Sequence, residues 1–237
     1  MNKSNSSLYL ISTPIGNLND ITLRGLETIF KVDILLCEDS RVTGNLVHQY
    51  KEKFPQYENY NPKLISYHDH NEERMNPQIL DWLQTGKNVG LVTDAGTPLI
   101  SDPGYKLVRD CFSKNIKVES IPGSSSVLTA LTLSSFPPDK FMFIGYLPRK
   151  SGQRQNLFKN LHPKPFKHIT VIAFESPHRI ISSLKDMKQV LGDIEVCVCR
   201  ELTKMYEEIK KGKVSEVTEY FEKKSIKGEI VLLFEVS

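Results

Sequence analysis

The 237-residue chain predicts an α/β fold: two α/β lobes with mainly parallel sheets. Strand-like apolar runs alternate with amphipathic helical stretches along the whole chain, as in strands joined by crossover helices. The length suits one large domain or two small lobes, each able to bury a core. A composition shift near "IPGSSS" divides the strand candidates, five before it and four after. This places an N-terminal lobe at residues 1–120 and a C-terminal lobe at residues 121–237.

In chain order, strands are predicted at residues 8–12, 34–37, 64–66, 89–93 and 118–121, then at 141–145, 169–174, 196–200 and 230–236. Helical patterns lie between many of them. In "ITLRGLETIF", Ile21, Leu26, Ile29 and Phe30 fall near one face, and Asp20 or Thr22 is placed to cap. "NPQILDWLQTG" stops at Gly86 and "SPHRIISSLKDMKQVLG" at Gly192, both good helix ends. "SSSVLTALTLSS" opens on serines suited to capping.

No apolar run approaches a membrane span, and the polar residues 1–7 lead into an apolar run too short for a signal-peptide core. The expectation is a cytoplasmic protein with no membrane partner. The cysteines agree. Cys37 and Cys111 are isolated, while Cys197 and Cys199 alternate in "EVCVCR" and share one strand face, as core residues do. No metal site is expected. The net charge of +3 is uneven: residues 1–118 hold 13 basic and 14 acidic side chains, residues 119–237 hold 18 and 14. That excess permits an anionic partner without requiring one.

Three loops share a layout of strand, glycine with proline, then helix start: "TPIGNLND", "TDAGTPLISDPG" and "IPGSSS". In open parallel sheets, ligands bind beyond the C-terminal strand ends. Glycine lets backbone approach them closely, and proline fixes the turn. None of the three is GxGxxG or a P-loop, so a phosphate cradle and an ordinary dinucleotide site are disfavoured. A small polar, partly aromatic ligand held by backbone groups fits better.

These loops recur in order with "CEDSRVT", "SYHDHNEE", "GYLPRKSGQR", "FESPHRI", "CRELTKMYEEI" and "GEIVLLFE", spanning about residues 8–236. On these segments the chain resembles the ribosomal RNA methyltransferases of the tetrapyrrole methylase superfamily. The resemblance implies two α/β lobes with S-adenosyl-L-methionine in the cleft between them. It implies 2′-O-methylation of a decoding-centre cytidine ribose in 16S ribosomal RNA, within the 30S subunit, by a homodimer without a metal. Carried over by motif, the cofactor-binding residues are Pro14 and Gly16; Asp94, Gly96, Thr97, Ile100 and Ser101; Gly123, Ser125 and Ser126; and Leu202. Ser124, Ser40 and Gly25 depart from the residues common in the family at those places. Gly25 should weaken its helix by roughly 1 kcal/mol if it is interior.

Transfer from a sulfonium needs in-line approach of a ribose hydroxyl that is barely ionised at neutral pH. A carboxylate taking its proton, or a cation stabilising the oxyanion, would help. Asp39 and Arg41 in "CEDSR", and Glu201 and Lys204 in "RELTK", are the catalytic candidates. The alternatives are a helix cap at Asp39 and surface ion pairs. Arg24, Arg149, Lys150, Arg154, His178 and Arg179 are the RNA-binding candidates, with "PRKSGQR" read as a mobile basic loop. Tyr146, or Tyr67 beside His68, is placed to stack on a base. The competing functions are a small-molecule methylase of tetrapyrrole type and a non-enzymatic RNA-binding protein.

Overall fold

The computed structural model describes residues 6–161 and 168–236. Residues 1–5 of the polar start lie outside them. The chain divides into two compact units, Met1–Ser125 and Ser126–Ser237.

The first unit is built on β1 (Ser7–Ile11), β2 (Ile34–Cys37), β3 (Lys63–Ser66), β4 (Val89–Leu91) and β5 (Lys117–Ile121). They form one sheet in the order β3-β2-β4-β1-β5, with every neighbouring pair parallel. Helices α1 (Leu23–Lys31), α2 (Ser40–Lys53), α3 (Glu72–Gln84) and α4 (Tyr105–Ser113) connect its strands. Side chains alternate along each strand, so a strand covered on both faces reads as unbroken apolar sequence. In β2 all four residues are buried. Ile34 and Leu36 join a core with Ile79, Leu80 and Leu83 of α3 and Leu107 and Cys111 of α4. Leu35 and Cys37 join a second core with Leu26, Ile29 and Phe30 of α1 and Val47 and Tyr50 of α2. Thr22 caps α1, its hydroxyl accepting from Gly25 N–H at 3.0 Å.

The second unit opens with α5 (Ser126–Leu133), then β6 (Phe141–Tyr146), α6 (Ser151–Asn160), β7 (Ile169–Glu175), α7 (Ile180–Leu191), β8 (Glu195–Arg200), β9 (Glu208–Lys213), α8 (Val214–Glu222) and β10 (Ile230–Val236). Its sheet runs β6-β7-β10-β8-β9. Only the β6–β7 pair is parallel; β10 pairs antiparallel with β7 and β8, and β8 with β9. The expectation of mainly parallel sheets thus holds for the first sheet and is corrected for the second, which is mixed and mostly antiparallel. The reason is connection length. Residues 201–207 join β8 to β9 directly, and a parallel return needs a crossover of a dozen residues or more. Apolar residues of α6, α7 and α8, among them Phe158, Leu184 and Phe221, cover one sheet face. The four cysteines are free and buried, and Cys197 and Cys199 lie with their sulfurs 3.8 Å apart. Among the described residues, no helix is long and apolar enough to cross a membrane.

Candidate active site

Strands β4, β1 and β5 are neighbours, so the three glycine loops leave adjacent strand ends on the same edge of the first sheet. They are bonded to one another. Thr13 N–H donates to Gly96 O at 2.9 Å, and Gly96 N–H donates back to Thr13 O at 3.1 Å. The Ser12 hydroxyl donates to Thr97 Oγ1 at 3.3 Å, which donates onward to Ser124 O at 3.0 Å. Ser12 N–H reaches Ile121 O at 3.2 Å, and Thr13 Oγ1 reaches Thr93 O at 3.1 Å. Residues 27 to 109 positions apart thus hold the loops as one preorganised backbone surface.

Two glycines are fixed by this geometry. Gly96 has φ +88°, and a Cβ there would stand 3.3 Å from Ile15 Cγ2. At Gly123 a Cβ would meet Ser12 Cβ at 3.0 Å. Leu99 and Ser101 flank the half-exposed Ile100 with φ of +72° and +70°. Such conformations cost an ordinary residue about 1 kcal/mol or more, and they concentrate at ligand loops. Pro14 is buried behind this surface, while Gly16, Asp94 and Gly123 are exposed on it.

The edge is acidic. Burial, and then Asp94, raises the pKa of the Glu38 carboxyl. Burial raises Asp94, opposed by the Asp39 N–H that donates to its carboxylate at 3.2 Å. Asp102 is pushed up to about 6 by burial, reinforced by Glu38, Asp94 and Asp69. Crowded carboxylates of this kind favour a cationic ligand, which relieves their repulsion. Sequence reasoning passed over Asp102, Ser12 and Thr13, although "ISDPG" and "ISTP" contain them. Nothing in the one-dimensional pattern shows that these side chains tie loops together. Backbone groups, Asp94 and these neighbours suit a compact cationic donor such as S-adenosylmethionine. Among the described residues, no group of three or more His, Cys, Asp or Glu is arranged to hold a metal ion.

The catalytic candidates turn out to be paired. Asp39 caps α2, accepting from Arg41 N–H at 2.8 Å, and binds the Arg41 guanidinium at 2.6 Å. The hydrogen bonds from Arg41 hold its carboxyl down at about 2. Asp39 therefore serves α2 as its N-cap, with its carboxylate held by Arg41. Lys204 bridges Glu201 and Glu229, at 2.9 Å to each. Leu202 is buried, and Glu201 and Thr203 on either side have φ of +51° and +64°.

Of the RNA candidates, Arg24, Arg149, Lys150 and His178 are exposed. Arg154 is corrected: it is 2% exposed, lies inside α6 and is ion-paired with Asp186. Arg179 is half-buried against Glu175 at 2.7 Å. "PRKSGQR" is therefore a short turn running into a helix. Tyr67 is also corrected, because it is fully buried with its hydroxyl on Asn76 at 2.9 Å, whereas Tyr146 is 61% exposed.

The chain belongs to the tetrapyrrole (corrin/porphyrin) methylase family, whose profile matches residues 7–218. Within it, the chain is 44% identical to the ribosomal RNA small subunit methyltransferase I of Rickettsia prowazekii, covering 96% of this chain and 78% of that one. It is 42% identical to the protein of the same name from Thermotoga maritima, covering 95% and 96%. Among solved structures, it resembles a cobalt precorrin-4 methyltransferase with a TM-score of 0.67 at 21% identity, covering 96% and 94%. It also resembles the uroporphyrin-III C-methyl transferase of Thermus thermophilus, with a TM-score of 0.62 at 15% identity, covering 97% of each chain. The latter is complexed with S-adenyl homocysteine, the product left when the donor gives up its methyl group.

Proposed function

We propose that this protein transfers a methyl group from S-adenosylmethionine to the 2′-oxygen of a decoding-centre cytidine in 16S ribosomal RNA. The observation that carries the reading is the set of strand-end loops, bonded into one surface, in a chain more than 40% identical over almost its whole length to proteins named for ribosomal RNA methylation. The bonded loops of the first unit supply fixed backbone groups, and Asp94 supplies negative charge for a sulfonium donor. The donor is reactive already, so the protein's contribution is alignment. Arg149, Lys150 and Arg24 supply exposed cations for phosphates, and Tyr146 a ring for a base. The modest net charge fits recognition of an assembled 30S surface in the cytoplasm, by a homodimer.

The test uses methyl-labelled S-adenosylmethionine with naked 16S RNA or 30S particles, followed by digestion and nucleoside mapping. Label in 2′-O-methylcytidine, stronger with 30S particles, is expected. Label on a base, or on an added tetrapyrrole and not on RNA, would reject the reading.

A further inference from the structure

We propose that Arg154 and Arg179 are positioning residues: they hold the turn at residues 147–150 from inside so that Arg149 and Lys150 meet the RNA backbone as a preset pair of cations. The proposal rests on the functional reading above. Strand β6 shifts register against β7 between Phe143 and Tyr146, and Gly145 there has φ +68°. This irregularity turns the chain out of the sheet. Leu147, 1% exposed, anchors the turn and donates its N–H to Phe174 O at 3.1 Å. The next carbonyls are all engaged from the protein side. Arg179 Nη1 donates to Leu147 O at 3.1 Å. Arg154 Nη1 donates to Pro148 O at 3.0 Å and to Arg149 O at 3.3 Å. Arg154 N–H donates to Lys150 O at 3.0 Å.

Both guanidiniums are fixed in turn by carboxylates. Arg179 pairs with Glu175, which is 2% exposed and accepts from Ser176 N–H at 2.6 Å and from the Ser183 hydroxyl. Arg154 pairs with Asp186, which accepts from Ser151 Oγ at 2.8 Å and Gln155 Nε2 at 2.9 Å. Buried ion pairs are weak stabilisers, and apolar side chains often serve a core as well. Arg154 Nε, moreover, is buried with no hydrogen-bond partner, which adds to the cost of the pair. Apolar replacements cannot hold a run of carbonyls. What this arrangement provides is the shape of the turn, with the two exposed cations at its tip. Holding them in place lowers the ordering cost of phosphate contact.

The experiment compares steady-state methylation of 30S particles by four proteins. They are the wild type, Arg154→Met with Asp186→Leu, Arg149→Ala with Lys150→Ala, and the quadruple variant. Cofactor affinity by calorimetry and a thermal melt accompany each. For the Met/Leu variant we expect a near wild-type melt, unchanged cofactor affinity, kcat within about twofold and KM for 30S raised about tenfold. In the quadruple variant, the Met/Leu change should add less than about twofold to the KM of the alanine pair, because it acts through those cations. An unchanged KM in the Met/Leu variant overturns the proposal, as does an equal rise in both backgrounds. Arg179→Lys is the second arm. It keeps the charge beside Glu175 but loses the fork that reaches Leu147 O, and an unchanged KM there is equally fatal. If the alanine pair leaves KM unchanged, the basic turn does not bind RNA and the proposal falls with it. If no protein methylates RNA, the functional reading itself has failed.

Discussion

At the scale of single residues, chemistry that looks catalytic in the sequence is often structural once neighbours are known, and the reverse also holds. Gly25 is an example. As an interior helix glycine it should be replaceable by alanine with a gain of about 1 kcal/mol. A Cβ there, however, would stand 2.9 Å from Thr22 Oγ1, the hydroxyl that caps α1. Displacing that cap costs about 1 kcal/mol. Gly25→Ala should therefore leave stability within about 0.5 kcal/mol of wild type in urea denaturation, the two effects offsetting one another. A clear gain would show that the cap tolerates the methyl group. Asp102 carries a pH dependence of definite sign. Its carboxyl sits near 6 when folded against an ordinary 3.8, so the folded state holds the proton more tightly. Its contribution is fully present below about pH 4 and is lost as pH rises through 6. Asp102→Asn should thus be more stable than wild type at pH 7.5, by roughly 1–2 kcal/mol after allowing for solvent screening. That advantage should vanish at pH 4. Melts at both pH values decide it, and equal melts at pH 7.5 would contradict the burial account.

Elements were legible in the sequence wherever periodicity and a cap coincided. Strand β2 was legible on other grounds, as an unbroken apolar run whose two faces are both covered. Strand β9 was not legible. Its "KKGK", residues 210–213, reads as a charged surface turn, yet β9 pairs along its whole length with β8 as the sheet's edge. Lysines are what an unpaired edge carries to discourage further pairing, so polarity there conceals a strand. Helix α6 was hidden for a related reason: its opening "SGQR" looks like a loop, and its seat is made by Phe158 in the core and by Ser151, Arg154 and Gln155 meeting Asp186 of α7. The glycine loops were legible as turns and as a shared layout. Their mutual bonding was not, because Ser12, Thr97 and Ser124 meet only through the strand order. At this scale Asp39 should behave as a cap. Asp39→Ala is expected to lower stability, and Asp39→Asn, which keeps an acceptor, to lower it by less than half as much. Denaturation curves test the order. An asparagine variant that stays stable but loses methyl transfer would return Asp39 to the chemistry.

Taken whole, the chain divides its features between the two units. The first unit carries a sheet covered on both faces, with bonded loops and crowded carboxylates at one edge. The second carries a mixed sheet and the exposed Arg149 and Lys150. The excess positive charge follows the same division, with 18 basic against 14 acidic side chains after residue 118. Composition showed that asymmetry but not which cations are available, because Arg154 and Arg179 point inward while Arg149 does not. The most direct measurement is a calorimetric titration of S-adenosylmethionine into the wild type, Asp94→Asn and Gly123→Val, each first checked for a native melt. The account predicts one site per chain in the wild type. It predicts about tenfold weaker binding in Asp94→Asn, and about a hundredfold or greater loss when a valine pushes Gly123 off Ser12. Wild-type affinity in both variants would place the methyl donor elsewhere and contradict the account.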